Sequence, residues 1–276
     1  MESKKRFDLS GRVAVITGGG GLLGKEHATV IAEAKGIPIL ADVRGKEAKK
    51  AAQEISEKFQ VPALGVGVDI TQKKEVGQLL EKLIEKFQRV DILINNAAND
   101  PKVVGENQKT NWSRFENFPL DIWEQDLVVG LTGSFICSQV FGSHMAKQGS
   151  GVILNISSDL GIVGPDQRLY EVEGKLPEEQ PVKPVTYSVV KTGIIGLTRY
   201  LATYWATSGV RVNALCPGGI DAGQSVEFKE RVHSRIPMGR MARRDEYHGA
   251  VLFMVSDESS YMNGAILTVD GGRTCW

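Results

Sequence analysis

Two side chains capable of proton transfer stand four residues apart in the stretch TYSVVKTGIIGLTRYLA, where Tyr187 precedes Lys191. On a helix this spacing places both side chains on one face. A free tyrosine titrates near 10, so work at neutral pH asks its pKa to fall by about 3, which is about 4 kcal/mol. An ammonium about 4 Å away, at an effective dielectric constant near 20, supplies about that much. Such pairs also arise by chance on surfaces, so the pair is a hypothesis that other motifs must support.

Ser158 is a candidate for a third catalytic group. Ser158 ends the segment NISS, which follows the β-branched run GVIL. A hydroxyl at the end of a strand can hold, by a hydrogen bond, the same substrate oxygen whose proton Tyr187 exchanges. The sequence therefore predicts a catalytic group of Ser158, Tyr187 and Lys191.

The run TGGGGLLG at 17–24 lies between the apolar stretch VAVIT and a helical pattern. In a strand-turn-helix unit of this kind, backbone N–H groups at the start of the helix face an anion, and glycines let a pyrophosphate approach. Three motifs overlap here: GxGxxG, TGxxGxxG and, apart from its leucine, TGxxxGxG. The predicted dinucleotide contacts are Gly18, Gly20, Gly21, Leu22, Leu23 and Gly24.

Asp42 closes the second apolar run, IPILAD. An acidic side chain at this position accepts hydrogen bonds from the adenosine ribose hydroxyls and repels a 2′-phosphate. NAD is therefore the predicted cofactor. Arg44 stands two residues later and can accommodate such a phosphate, so NADP remains the alternative.

The elements that must position these groups alternate along the chain. Amphipathic helical patterns at 22–35, 46–59 and 72–88 separate the first four apolar runs. Alternation of this kind is typical of parallel strands joined by helical crossovers. We expect an α/β Rossmann fold in one domain over 1–276, a doubly wound, seven-stranded parallel sheet with helices on both faces. The predicted strands are 13–17, 37–42, 63–69, 90–95, 151–157, 210–216 and 265–270.

Composition excludes several classes of function. The 33 Lys and Arg residues equal the 33 Asp and Glu residues, so nucleic acid is not an expected partner. The three cysteines and four histidines show no metal-ligand spacing, so no metal is expected. The charged N-terminus lacks the apolar core of a signal peptide, and no stretch approaches the roughly 18 apolar residues of a membrane span. We expect a cytoplasmic protein that binds a small-molecule substrate and no membrane.

Taken together, these motifs resemble the single-domain branch of the short-chain dehydrogenase/reductase family, from about Leu9 to Gly272. Further similar stretches are NNAA at 95–98, PGGI at 217–220 and NGAILTVDGG near the end. The resemblance implies an NAD(P)-dependent oxidoreductase that transfers hydride between the nicotinamide and an alcohol or ketone. It implies a homotetramer, or at least a homodimer, formed by the helices within 121–148 and 188–208.

The resemblance also assigns cofactor contacts. Tyr187 and Lys191 would reach the nicotinamide ribose region, and the remaining positions would line the two ends of the dinucleotide. Those for the adenosine half are Asp69, Ile70, Asn96 and Ala97, and those behind the nicotinamide are Pro217, Gly218 and Ile220.

The chain departs from the family pattern at three places. Gly130 stands where the family usually has an Asn that holds a water near the Lys, and Ala222 stands where a Thr often contacts the nicotinamide amide. Tyr187 follows Ser158 by 29 positions (187 − 158), about twice the usual interval. A long interval between the catalytic Ser and Tyr, and the motif TGxxGxxG, are typical of the family's larger branch, whose members act on nucleotide sugars. Only 60 residues follow Cys216 (276 − 216), so we do not expect that branch's C-terminal substrate domain.

Two polar segments, 99–118 and 162–186, follow strands and are predicted to shape the substrate site. A substrate site lined by polar segments suits a hydroxylated or charged ligand. The candidate contacts are Asn99, Asp159 and Arg168. PDQRLY, RIPMGRMARRDEY and DGGRTCW resemble bacterial oxidoreductases of flagellin and surface-glycan modification, which implies a sugar or amino-sugar (phosphate) substrate in glycan biosynthesis. A 3-oxoacyl-carrier-protein-type reductase and a catalytically silent NAD-binding protein remain the alternatives.

Overall fold

The computed structural model describes residues 7–99 and 111–276, and its centre is a parallel sheet of seven strands in the order β3-β2-β1-β4-β5-β6-β7. The predicted Rossmann fold is confirmed. Between β1 and β4 the direction of winding reverses, and in such sheets ligands bind outside the carboxyl ends of the strands at this point. The strands are β1 (Val13–Thr17), β2 (Ile37–Asp42), β3 (Leu64–Gly67), β4 (Ile92–Asn95), β5 (Gly151–Ile156), β6 (Val210–Pro217) and β7 (Ile266–Val269).

Helices cover both faces of the sheet. Successive strand residues point to opposite faces, so Val13 and Val15 enter one core cluster, and Ala14 and Ile16 enter the other. Helices α3, α4 and α5 pack on the first face, and α1, α2 and α7 pack on the second. The helices are α1 (Leu22–Glu33), α2 (Gly45–Phe59), α3 (Lys73–Phe87), α4 (Leu120–Gln148), α5 (Val185–Tyr204), α6 (Val226–His233) and α7 (His248–Val255).

A buried chain of polar side chains joins the sheet to α4 and α5. The Asn95 side-chain amide donates to Asn155 Oδ1 (2.8 Å) and to Ser138 Oγ (3.0 Å), and the Asn155 amide donates to Thr198 Oγ1 (2.9 Å). Buried polar groups are costly unless they are hydrogen-bonded, so this set specifies one arrangement of its four elements. It fixes β5, which leads to Ser158, against α5, which carries Tyr187 and Lys191.

Helix α4 contains two π-helical turns, Val128–Thr132 and Ser138–Gly142. By length and composition it is apolar enough to cross a membrane, so our expectation that no stretch approaches this threshold is wrong. Its side chains at Ile136, Phe141 and Met145 nevertheless pack in the core against the sheet. The core helix of a soluble protein meets the same criterion.

One residue of the polar segment 162–186 is anchored in a small satellite core. Leu169 packs there with Val232, Ile236 and Met241. Hydrogen bonds from Val182 N to Ser113 Oγ (3.1 Å) and from Arg114 to Pro177 O (2.8 Å) tie this segment to residues 111–118. The rest of the other polar segment, 100–110, lies outside the described residues.

Candidate functional site

The glycine turn between β1 and α1 is too tight for side chains. A methyl group at Gly24 would lie 2.2 Å from the carbonyl oxygen of Gly18, and one at Gly19 would lie 2.7 Å from Leu40 Cα. Helix α1 begins at Leu22, after Gly21; among the described residues no side chain caps it, and its first turn carries no acidic residue. Its first N–H groups and the positive end of the helix dipole therefore face outward, which fits a pyrophosphate.

Asp42 lies against this turn, as a ribose contact requires. Its Oδ2 accepts from Gly20 N and its Oδ1 from Arg44 N, both at 2.9 Å. The Asp42 side chain is 5 % exposed, whereas the Arg44 side chain is 58 % exposed, with its Nε 3.5 Å from Asp42 Oδ1. The carboxylate is thus held by the turn itself, and the guanidinium lies at the rim.

Hydrogen bonds join the carboxyl ends of β1 and β4. Thr17 Oγ1 accepts from the backbone N–H groups of Asn96 and Ala97, both at 3.0 Å, and the Asn96 side-chain amide donates to Thr17 O (2.9 Å). After β3, Asp69 Oδ1 accepts from Thr71 N (2.9 Å), and Ile70 is buried against α4. These predicted adenosine contacts lie at the carboxyl edge of the sheet.

The loop after β6 is tied to β7 and to its own backbone. Pro217 ends β6, Gly218 N donates to Val269 O (2.9 Å), and Ile220 forms a β-bridge with Ala242. Near Ala222, the Gln224 side chain accepts from Ala222 N and donates to Ile220 O, both at 2.9 Å. The next residue, Ser225, caps α6 by accepting from Phe228 N (3.3 Å).

The end of β5 is fastened to α5 at the predicted catalytic residues. Lys191 Nζ donates to Ile156 O (2.9 Å), and Ser157 Oγ donates to Lys191 O (2.7 Å). Lys191 and Ser158 are both buried, and the Lys191 ammonium lies 5.8 Å from the centre of the Tyr187 ring. The fold therefore brings Lys191 to Tyr187 on one side and to the end of β5, two residues before Ser158, on the other.

A cavity of about 10 Å³ adjoins Tyr187 and Lys191, and Asn99 also lines it. Two other lining residues, Asp126 and Thr186, form a buried hydrogen bond of 2.5 Å from Thr186 Oγ1 to Asp126 Oδ2. Sequence reasoning missed this pair, because neither residue belongs to a motif. The cavity places Asn99 at the catalytic residues.

The space beside Gly130 is occupied by a side chain of α5. A methyl group at Gly130 would lie 2.5 Å from Val190 Cγ1. Gly130 lies in the first π-helical turn of α4, and its carbonyl accepts from Ser134 Oγ (2.8 Å). Val190 thus takes the place that the family's Asn side chain would need.

Asp159 and Arg168, the other candidate substrate contacts, differ in their surroundings. Asp159 is buried beside Ser158 and pairs with Arg273 near the C-terminus (2.6 Å). Arg168 is exposed and makes two hydrogen bonds of 2.8 Å to Asp166, whose pKa they lower to about 2. Among the described residues, neither Arg168 nor Asp159 lines the cavity at Tyr187, and Asp159 is linked to the catalytic residues through its neighbour Ser158.

A second ammonium lies close to the tyrosine. Lys183 Nζ is 3.9 Å from the centre of the Tyr187 ring, a cation–π distance. Lys183 belongs to the polar segment that precedes α5, and no motif marks it. Among the described residues no group of three or more His, Cys, Asp or Glu side chains is placed to hold a metal ion.

Comparison with known proteins gives consistent matches along the chain. A family model described as short chain dehydrogenase matches residues 12–170, and one described as Enoyl-(Acyl carrier protein) reductase matches residues 178–274. A 3-oxoacyl-[acyl-carrier-protein] reductase of Aquifex aeolicus is 33 % identical, with 96 % of this chain and 98 % of the relative covered. A 2-dehydro-3-deoxy-D-gluconate 5-dehydrogenase of Bacillus subtilis is 30 % identical, with 96 % of each covered. The crystal structure of a gluconate 5-dehydrogenase from Burkholderia cenocepacia, in complex with NADP and tartrate, has a TM-score of 0.86 at 26 % identity, with 99 % of each chain covered.

Proposed function

The chain belongs to the short-chain dehydrogenase/reductase family, and we propose that it oxidises or reduces a sugar, amino sugar or related sugar acid. As a member of this family it is a nicotinamide-dependent oxidoreductase that acts on CH–OH groups. The observation that carries the substrate class is the polar wall at the catalytic residues, by which we mean Asn99 beside Tyr187 and the Asp159–Arg273 ion pair beside Ser158. The small cavity is also lined by Ala98, Gly130 and Val190, so the proposal rests on these polar groups and not on the cavity as a whole. Asn99 can form a hydrogen bond with a hydroxyl or carboxylate group, whereas an acyl chain needs an apolar lining.

The proposed roles of the three catalytic residues follow from their positions. A bound nicotinamide supplies the hydride acceptor or donor. Tyr187 exchanges a proton with the substrate oxygen, and Ser158 holds that oxygen by a hydrogen bond. The ammonium groups of Lys191 and Lys183 lie 5.8 and 3.9 Å from the centre of the Tyr187 ring, so both place a positive charge beside the group that exchanges the proton.

The glycine turn, with Gly18, Gly20, Gly21 and Gly24, is proposed to hold the pyrophosphate, and NAD is proposed as the preferred cofactor. Asp42 is buried and anchored at the turn, so a 2′-phosphate beside it would meet a fixed negative charge. Arg44 is exposed at the rim, where water screens its attraction for that phosphate. The similar Burkholderia enzyme was crystallised with NADP, so the ratio of kcat/KM for NAD and NADP is the test of this preference.

Two alternatives have specific support. The Aquifex relative favours a 3-oxoacyl-carrier-protein-type reductase, for which the polar wall is unsuited. The departures at Gly130 and Ala222 favour a silent NAD-binding protein, but such a protein has no need of Ser158, Tyr187 and Lys191 together. The further expectation of a role in surface-glycan modification depends on short stretches of sequence, and the relatives named above give it no support.

We also propose a homotetramer or homodimer in the cytoplasm. Large apolar side chains of α4 and α5 are exposed in the single chain, among them Phe135, Tyr200 and Tyr204. Buried in a subunit contact, they would no longer form an exposed apolar surface.

The test is the absorbance of reduced nicotinamide with NAD and with NADP, across a panel of sugars, amino sugars, sugar acids, sugar phosphates and 3-oxoacyl thioesters. We expect turnover of a hydroxylated substrate, faster with NAD, that falls by at least about a hundredfold in Tyr187→Phe. Tyr261→Phe, at a fully exposed tyrosine outside α4 and α5, is the matched control and should retain full activity. Turnover of thioesters alone would refute the substrate class, and tight NAD binding without any turnover would favour the silent protein.

A further inference from the structure

We propose that Arg273 and Asp159 are positioning residues for the hydroxyl of Ser158, so that the C-terminal segment controls a catalytic hydrogen bond. The three side chains form a continuous row. Ser158 Oγ donates to Asp159 Oδ1 (2.7 Å), and Arg273 Nη1 donates to Asp159 Oδ2 (2.6 Å). The inference rests on the proposed role of Ser158 as the group that holds the substrate oxygen.

The ion pair at the end of this row is shielded from water. The side chains of Arg273 and Asp159 are 13 % and 4 % exposed. The backbone N–H of Leu160 also donates to Asp159 Oδ1 (2.8 Å), so both carboxylate oxygens are engaged. In a site of low dielectric constant these interactions are stronger than on the surface, and the carboxylate has one orientation.

The backbone presents Arg273 to the site through a tight turn after β7. The carboxylate of Asp270 accepts from Gly272 N (2.9 Å) and from Thr274 N (2.8 Å), which holds the residues on both sides of Arg273. Gly272 has φ +88°, a conformation that favours glycine. The turn therefore fixes the backbone on both sides of Arg273, and the ion pair holds the guanidinium at Asp159.

This arrangement has a consequence for catalysis, because a hydroxyl has only one proton. To donate to a substrate oxygen, Ser158 must release the hydrogen bond that it gives to Asp159. A buried carboxylate without a cation beside it is a strong acceptor and would keep the hydrogen bond from Ser158. The ion pair with Arg273 partly neutralises the charge of Asp159 and so weakens that hydrogen bond. Arg273 thereby determines how readily Ser158 turns to the substrate.

The kinetic test compares variants of Arg273 in two backgrounds. Arg273→Gln should lower kcat by about tenfold to a hundredfold, with the KM for NAD unchanged. Asp159→Asn combined with Arg273→Gln should recover most of the loss, because no unpaired charge remains, and Arg273→Lys should recover part of it. In the Ser158→Ala background Arg273→Gln should change kcat less than about twofold, because the hydroxyl on which it acts is absent. An equal loss in both backgrounds would overturn the proposal.

A second measurement needs no substrate. In urea unfolding, Arg273→Gln should be coupled to Asp159→Asn and to Ser158→Ala, each by about tenfold or more in the unfolding equilibrium constant. The exposed pair Arg243–Asp245, with side chains 65 % and 60 % exposed, is the matched control and should show little coupling. Additive effects at Ser158 and Arg273 would overturn the proposal. Coupling without any turnover by the wild-type enzyme would refute the proposed function and leave the hydrogen-bonded row intact.

Discussion

The contact between Gly130 and Val190 allows a stability prediction whose sign depends on the background. A methyl group at Gly130 would lie 2.5 Å from Val190 Cγ1, about 1 Å closer than an ordinary carbon–carbon contact. Valine has one strongly preferred rotamer in a helix, so it does not turn away freely. Overpacking costs about 1–3 kcal/mol, and replacing a helical glycine by alanine gains about 1 kcal/mol. Gly130→Ala should therefore destabilise the wild type by about 0–2 kcal/mol.

Removing the obstacle should reverse this effect. Val190→Ala alone deletes the equivalent of two buried methylene groups, which costs about 2 kcal/mol. In that background Gly130→Ala meets no clash and should stabilise the protein by about 1 kcal/mol, so the coupling between the sites is about 1–3 kcal/mol. Urea unfolding of the four proteins measures it.

The control is a glycine of the same kind without an obstacle. Gly77 lies in α3, and a methyl group there would have no neighbour within 4 Å. Gly77→Ala should stabilise by about 1 kcal/mol in both the wild-type and the Val190→Ala backgrounds. If Gly130→Ala behaves as Gly77→Ala does, Val190 does not fill the space, and the explanation of the missing Asn is refuted.

Two further predictions concern the first βαβ unit. Burial, and secondly the charge of His248, lower the pKa of His27 to about 4 from the ordinary 6.5, so the folded state holds this ring neutral. The free energy of unfolding is therefore highest above about pH 6.5 and falls as the pH drops from 6.5 to 4, because the unfolded state takes up a proton that the folded state does not. Between pH 7.5 and pH 4.5, the free energy of unfolding should fall by about 2–3 kcal/mol less in His27→Leu than in the wild type. Gly24→Ala should weaken NAD binding by about a hundredfold or more in a fluorescence titration, because its methyl group would lie 2.2 Å from Gly18 O and distort the turn. Unchanged NAD affinity in that variant would show that the turn is not the pyrophosphate site.

The sheet was predictable because each strand is a short apolar run between turn signals. The largest difference is β3, predicted over 63–69 and observed at Leu64–Gly67. It is an edge strand whose partner, β2, ends at Asp42, opposite Gly67, so residues beyond that point have no strand to pair with. Turn chemistry and local spacing likewise predicted the glycine turn and the Tyr187–Lys191 pair.

The features that were missed depend on contacts between distant residues. Arg273 reaches Asp159 across 114 positions, and Val190 fills the space at Gly130 from another helix. No local pattern encodes such contacts, because each residue by itself is ordinary for its element. Lys183 was missed for a related reason: a lysine in a polar segment is usually solvated, and only the path of that segment brings it to Tyr187.

These long-range contacts hold the proposed catalytic group independently of the segments on the substrate side. The buried polar chain through Asn95 and Asn155 fixes β5 and α5 without help from the substrate-side segments. The long insertion can then run directly into the start of α5, where Pro184 precedes the helix and Lys183 lies over the ring of Tyr187. On the other side, β7 ends in the turn that carries Arg273 to Asp159. Substrate preference is therefore expected to change through these two attachments, since a change in either alters the charge at Tyr187 or Ser158 without moving the sheet.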